Sequence, residues 1–201
     1  MGMEMLLVRF FLYVVLISVI VFDVCWVFKC FEYMYCTHIR IQPPLVSSNK
    51  YERCLAVEQI KTKYPNAKNI CEIGSGFGGL ARKIARANRG ANVYALENMP
   101  FSAFVSKVMD RLTYCKNNKT IWGDAFEYLD NTDVKFDIAV AYLGSDVTQK
   151  IKKYKNKIRV FISLDFELNG IKPNRVIDVN GGCTLYKGVK YPHRLYVYEF
   201  Q

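Results

Sequence analysis

The segment Glu72-Ile73-Gly74-Ser75-Gly76-Phe77-Gly78-Gly79 constrains this chain more than any other. It follows a short apolar run, Asn69 to Ile73, and leads into an amphipathic one, Gly79 to Asn88. A chain that leaves a strand and enters a helix within a few residues needs positions without a Cβ. Glycines there also let backbone N–H groups come close to a ligand. With Gly74, Gly76 and Gly78 at alternate positions, the segment reads as a ligand loop rather than a plain turn. In an open α/β sheet such a loop lies at the C-terminal end of its strand, where ligands bind.

The remaining pattern supplies that sheet. Lys50 to Tyr64 predicts a helix, stopped by Pro65-Asn66. After the loop, strands are predicted at Asn92–Leu96, Thr120–Trp122, Phe136–Leu143 and Ile158–Leu164. Helices are predicted at Phe101–Cys115 and Asp146–Tyr154. Arg175–Val179 and Arg194–Phe200 close the chain as strands, the last alternating as an edge or antiparallel strand does. Alternating strands and helices imply an α/β, Rossmann-like, doubly wound and mostly parallel sheet with an antiparallel C-terminal strand. The length of 201 residues suits one domain plus a short appendage, and 51% apolar with 14% aromatic residues excludes a disordered or low-complexity chain.

The appendage is at the front. Phe10 to Phe28 carries one acid, Asp23, and is flanked by Arg9 and Lys29. A bilayer core needs about 20 mostly apolar residues in a helix. The expected organisation is a transmembrane anchor over 5–28, a linker over 29–49 containing Pro43-Pro44, and the α/β domain over 50–201. The FDVCWVF segment offers no small residues for signal cleavage. Positive charge follows the span (Lys29, Arg40, Lys50, Arg53), so a single-pass protein with its C-terminal domain on the cytoplasmic side is expected. The odd count of seven cysteines, with no C-x-x-C, suits reduced thiols. Cys30, Cys36 and His38 match no zinc spacing, and no metal is expected.

Gly74, Gly76 and Gly79 satisfy G-x-G-x-x-G, a weak dinucleotide signal when alone. Three acids argue for a different ligand. Glu72, two residues before the first glycine, suits an ammonium or sulfonium charge better than a pyrophosphate. Glu97, ending the second strand, suits a ribose diol. Asp124, after Gly123, can accept from an adenine amino group, and the Ala125 N–H can reach a ring nitrogen.

Taken together, these features resemble the class I, seven-strand S-adenosylmethionine-dependent methyltransferases, over roughly Pro43 to the C-terminus. More narrowly they are similar to the membrane-anchored family of the mitochondrial ATP synthase c-subunit lysine methyltransferase. The shared motifs are an N-terminal span, a Pro-rich segment at Pro43-Pro44, E-x-G-S-G at Glu72 to Gly76, and an acid with Pro three residues on at Glu97 and Pro100. They continue with Trp122-Gly123-Asp124, a strand of FDVVxxYL type at Phe136 to Leu143, Ser163 through Phe166, Leu168 and Gly170 to Pro173, and Leu195-Tyr196-Val197-Tyr198. The chain departs from the family pattern at Phe77, where Asp is usual, and at Glu167 and Ile171, where Pro and Trp are usual.

The resemblance implies S-adenosylmethionine as cofactor, held by Glu72, Gly74, Ser75, Gly76, Gly78, Glu97, Asp124 and Ala125. It implies transfer to a protein lysine, with a membrane or membrane-proximal protein as substrate. Tyr142, Asp165 and Phe166 fall at or just after strand ends. Asp165 is the candidate to orient an amine nucleophile and Tyr142 a second catalytic candidate. Ala141-Tyr142-Leu143-Gly144 stands where a [DN]-P-P-[FY] segment would serve adenine or amide methylation. The net charge of +10 and the run Lys150, Lys152, Lys153, Lys155, Lys157 and Arg159 admit nucleic acid, anionic lipid or plain solvation. With an anchor present, the lipid bilayer is the expected partner and nucleic acid is not. The alternatives are a non-catalytic S-adenosylmethionine-binding or scaffold protein at the membrane and, third, an NAD-dependent oxidoreductase.

Overall fold

The computed structural model describes residues 2–34, 48–186 and 189–200. The expected Pro43-Pro44 linker, with Cys36 and His38, lies outside these residues. The chain divides into two compact units, Met1–Pro44 and Leu45–Gln201. The first holds helix α1 (Gly2–Met34), whose segment Glu4–Cys30 is long and apolar enough to cross a membrane.

The second unit is a seven-stranded sheet. In chain order its elements are α2 (Lys50–Lys63), β1 (Asn69–Ile73), α3 (Gly79–Ala87), β2 (Asn92–Glu97), α4 (Pro100–Leu112), β3 (Asn118–Trp122), α5 (Ala125–Asn131), β4 (Phe136–Ala141), α6 (Ser145–Gln149), β5 (Ile158–Leu164), β6 (Arg175–Tyr186) and β7 (Val189–Glu199). The strand order is β3-β2-β1-β4-β5-β7-β6. Strands β1 to β5 pair in parallel, and β7 runs antiparallel between β5 and β6.

Local chemistry accounts for these elements. Asn49 and Glu52 form a capping box that starts α2: the Glu52 N–H donates to Asn49 Oδ1 at 2.9 Å, and the Asn49 N–H donates to Glu52 Oε2 at 2.6 Å. Strand β1 is an apolar run enclosed on both faces, as a central parallel strand must be. One layer of core joins Ala56, Ile60, Leu80 and Ile84 to one face of the sheet, and a second joins Leu129, Ile151 and Tyr154 to the other.

Several boundaries differ from the sequence expectation. Helix α5 was not expected. Asp124 caps it, its Oδ1 accepting from the N–H groups of Phe126 and Glu127. The expected Asp146–Tyr154 helix is a short α-helix followed by a 3₁₀ turn, Lys150–Tyr154. Strands β6 and β7 are much longer than expected and form a hairpin with an irregularity between Asp178 and Cys183. The basic run is largely engaged within the domain. Lys153 pairs with Asp130 at 2.9 Å, Arg159 pairs with Asp137 at 3.4 Å, and Lys157 Nζ donates to the carbonyls of Leu129 and Thr132 near the end of α5.

Candidate active site

Strand order reverses between β1 and β4, so the loop after β1 sits at the topological switch point of the sheet. The loop folds back on β2: the N–H groups of Gly74 and Ser75 both donate to the Leu96 carbonyl, at 2.9 and 3.0 Å. Gly74, Gly76 and Gly78 have φ of +74°, +54° and +69°, a region that side chains avoid. Space forbids a side chain as well. A Cβ on Gly74 would lie 2.6 Å from Leu143 Cδ2, and one on Gly78 would collide with Ser106 Oγ.

A buried network fixes this shape. Arg82, one turn into α3, donates through Nη2 to the Phe77 carbonyl at 2.5 Å and through Nη1 to Asp110 on α4 at 3.2 Å. Asp110 also accepts from Asn118 and Thr120 on β3, at 2.9 and 2.7 Å. The loop is thus tied to two neighbouring elements before any ligand arrives.

Beneath the loop is a cavity of ≈ 150 Å³, lined by Glu72, Gly74, Ser75 and Gly76 together with Arg53 of α2 and Tyr142 after β4. Glu72 is 7% exposed. Its Oε2 accepts the Ala81 N–H at 2.7 Å. Burial pushes its carboxyl up to about 8; the Ala81 N–H works against this, and Glu97 adds to it. Glu97 is also buried, and its carboxylate accepts the Gly76 N–H at 2.5 Å and the Met99 N–H at 2.7 Å. Two of the lining residues carry a buried polar atom without a hydrogen-bond partner, Ser75 at Oγ and Arg53 at Nε. Asp124 and Ala125 lie where β3 passes into α5. Asp124 spends one oxygen on capping that helix, a use the sequence reading did not include.

A second group adjoins the cavity through Tyr142. Asp165 directly follows β5 with φ +65°; its N–H donates to the Arg194 carbonyl at 2.8 Å, and its Oδ1 accepts the Arg194 N–H at 2.9 Å. This clamp aims Oδ2 at His193 Nδ1 of β7, 2.5 Å away. Glu52 Oε1 lies 2.6 Å from the same nitrogen but off any hydrogen-bond axis. Glu52 is wholly buried, and burial holds its carboxyl well above the usual range, with the nearby Asp165 charge acting in the same direction. Burial together with Glu52 and Asp165 pushes the Tyr142 hydroxyl up to about 12. Tyr142 packs against Phe166 with ring centroids 6.2 Å apart.

Asp165 and Tyr142 were legible as strand-end residues, but Glu52 and His193 were not. The capping-box spacing of Asn49 and Glu52 was the available signal, and it points to helix formation rather than to a site. Glu52, Asp165 and His193 place donor atoms within 4.8 Å of one another. The 2.5 Å between His193 and Asp165 is a hydrogen-bond distance, whereas Glu52 Oε1, 2.6 Å from the same nitrogen, makes no hydrogen bond. Two ligands at right angles on one ion, each about 2.1 Å from it, would stand roughly 3 Å apart. Asp165 and His193 are therefore spaced as a hydrogen-bonded pair, with the Glu52 carboxyl packed beside them.

Strand order, the reversed seventh strand and the switch-point loop make a Rossmann-like fold that solved methyltransferase structures share. Solved structures similar to this chain include an RNA methyltransferase from Salinibacter ruber in complex with S-adenosyl-L-homocysteine, with TM-score 0.58 and 19% identity, covering 77% of this chain and 94% of that one. A precorrin-6y C5,15-methyltransferase from Geobacter metallireducens has TM-score 0.59 and 12% identity, covering 78% and 91%. M. capricolum TrmK in complex with S-adenosyl-homocysteine has TM-score 0.58 and 12% identity, covering 73% and 68%. No family model matches the chain, and no curated protein matches it in sequence.

Proposed function

We propose that the chain is an S-adenosylmethionine-dependent methyltransferase that acts on a protein lysine of a membrane or membrane-proximal protein. The observation that carries the reading is the pairing of two sites across Tyr142: a glycine cradle with buried carboxylates, and the Glu52–Asp165–His193 group. The cradle fits the donor. Its glycines take the positive φ that shapes the loop, Ser75 Oγ is buried without a partner, and the Glu72 carboxyl, once ionised, offers negative charge to an ammonium or sulfonium. Gly74, Ser75, Gly76 and Gly78 would hold the amino-acid end, Glu97 the ribose, and Asp124 with Ala125 the adenine. When bound, the donor supplies an already activated methyl group, so the protein's contribution is positioning.

The acceptor amine is protonated in water and must lose a proton before it attacks. Asp165 orients it, and Glu52 and His193 share the released proton with Asp165. Tyr142, whose hydroxyl stays protonated at neutral pH, walls the passage between donor and acceptor and can donate a hydrogen bond. The same acidic group disfavours RNA, whose phosphates it would repel. Helix α1 serves as the anchor, with the C-terminal unit on the cytoplasmic side, which limits acceptors to proteins at the bilayer. The narrower resemblance to the c-subunit lysine methyltransferases rests on the N-terminal span, Pro43-Pro44 and the motifs from Glu72 to Tyr198.

The test uses the full chain in detergent micelles. Binding of S-adenosylmethionine, S-adenosylhomocysteine and NAD is measured by calorimetry, and then membrane extract and total tRNA are each offered with labelled methyl donor. Binding of both adenosyl compounds and label on protein lysine are expected. Failure to bind either adenosyl compound would overturn the donor assignment, and label on tRNA alone would overturn the acceptor.

A further inference from the structure

We infer that Arg53 is the anchor for the α-carboxylate of the methyl donor, so that Arg53 and Glu72 together read the two charges of its amino-acid end. This deepens the donor assignment and rests on it. Arg53 enters the cavity from α2, a helix outside the strand–loop–helix unit, and it and Glu72 line the same cavity. Its Nε is buried without a hydrogen-bond partner. Its Nη1 reaches within 3.6 Å of the place a Cβ on Gly79 would occupy, so the guanidinium lies against the glycine segment where it opens α3.

A guanidinium whose inner N–H is desolvated and unpaired is costly unless a ligand completes it. What completes it is an anion, and the fork geometry matches a carboxylate in two parallel hydrogen bonds. Ser75, which lines the same cavity and whose Oγ is also buried and unpaired, offers a further donor. Glu72 supplies the opposite charge on that wall and accepts the ammonium. A zwitterionic α-amino acid carries both charges on neighbouring atoms, so one fragment satisfies both residues. A dinucleotide pyrophosphate would satisfy Arg53 but would face Glu72.

The experiment is a cycle of ligand against variant. S-adenosylhomocysteine carries the amino-acid end, and 5′-methylthioadenosine lacks it. Both are titrated calorimetrically into the full-length wild-type chain, Arg53→Gln and Arg53→Lys. Wild type should bind S-adenosylhomocysteine at least tenfold more tightly than 5′-methylthioadenosine. Arg53→Gln should weaken S-adenosylhomocysteine about 10- to 100-fold, the scale of a charge-assisted pair, and leave 5′-methylthioadenosine within twofold. Arg53→Lys, which keeps the charge and loses the fork, should fall between. Unchanged 5′-methylthioadenosine binding shows in the same titration that the variant is folded. Equal losses for both ligands, or no loss for either, would overturn the Arg53 assignment while the donor assignment stands. If wild type binds neither compound, the donor assignment fails and the carboxylate assignment with it.

Discussion

Glu72 carries a consequence for stability that can be worked from its surroundings. Its carboxyl is held at about 8, against an ordinary value of 4.5, because burial disfavours the charged form more than the Ala81 N–H favours it. Between those two values the folded chain keeps a proton that the unfolded chain has released. The stability this group contributes is therefore complete below 4.5 and is lost progressively as pH rises to about 8. At ~1.4 kcal/mol per pH unit, the 3.5-unit window implies a loss of up to about 5 kcal/mol. Replacing Glu72 with Gln removes the ionisation but keeps an oxygen for the Ala81 N–H. Glu72→Gln should equal wild type within about 1 kcal/mol at pH 5 and exceed it by several at pH 8. At ~2–4 °C per kcal/mol this is a rise of about 10 °C in Tm at pH 8. Thermal unfolding of the full chain in micelles, followed by circular dichroism from pH 5 to 8.5, reads both numbers. Glu52 remains in the variant and, with its own raised carboxyl, leaves a residual slope. The gain should come with lost function: Glu72→Gln should bind S-adenosylmethionine weakly and without the rise in affinity with pH that an ionising Glu72 gives wild type. If the stability difference between Glu72→Gln and wild type did not grow from pH 5 to pH 8, burial would not be holding the Glu72 carboxyl in its neutral form, and its assignment to the donor's ammonium would lose its physical basis.

Other residues give sharper contrasts. Gly78→Ala places a Cβ at φ +69° against Ser106, so it should cost about 2–3 kcal/mol, while Gly90→Ala, with nothing within 4 Å, should be near neutral; paired Tm measurements check both. Arg82→Met leaves Asp110 buried without its cation and frees the Phe77 carbonyl, so it should cost about 3 kcal/mol and slacken the loop, read as a Tm loss with weaker S-adenosylhomocysteine binding. Asp165→Asn should leave S-adenosylhomocysteine affinity within twofold and lower kcat at least 30-fold near neutral pH, with partial recovery at high pH as the acceptor amine loses its proton unaided.

The sheet was legible because its signals are local. Asn69–Ile73 and Ile158–Leu164 are apolar runs of strand length, and their observed limits match the sequence reading residue for residue. The glycine segment was legible because positive φ at Gly74, Gly76 and Gly78 leaves few other residues possible. Helix α5 was missed because Ala125-Phe126-Glu127-Tyr128-Leu129 is too short to show a period, and its start depends on the Asp124 cap. The β6–β7 hairpin exceeds the expected Arg175–Val179 and Arg194–Phe200 strands because the antiparallel partner that holds β7 against β5 is invisible in a one-dimensional pattern.

The site divides along the same line. Glu72 could be picked out because it lies two residues before Gly74 at the end of β1, and Glu97 because it closes β2, relations contained in a few consecutive residues. Glu52, Asp165 and His193 are drawn together by the sheet from α2, the end of β5 and the start of β7's final stretch. Their meeting depends on β7 lying antiparallel beside β5, which brings Arg194 opposite Asp165 and sets His193 next to it. Reversing the seventh strand is what delivers a residue near the start of a strand to the C-terminal edge of the parallel ones, where ligands bind. A sequence reading that places β7 at the edge but not its register can find Asp165 and still miss its partner. The acidic group is thus a product of topology, and the glycine cradle a product of local backbone chemistry. Tyr142, lining the cradle's cavity and electrostatically coupled to Glu52 and Asp165, is where the two meet.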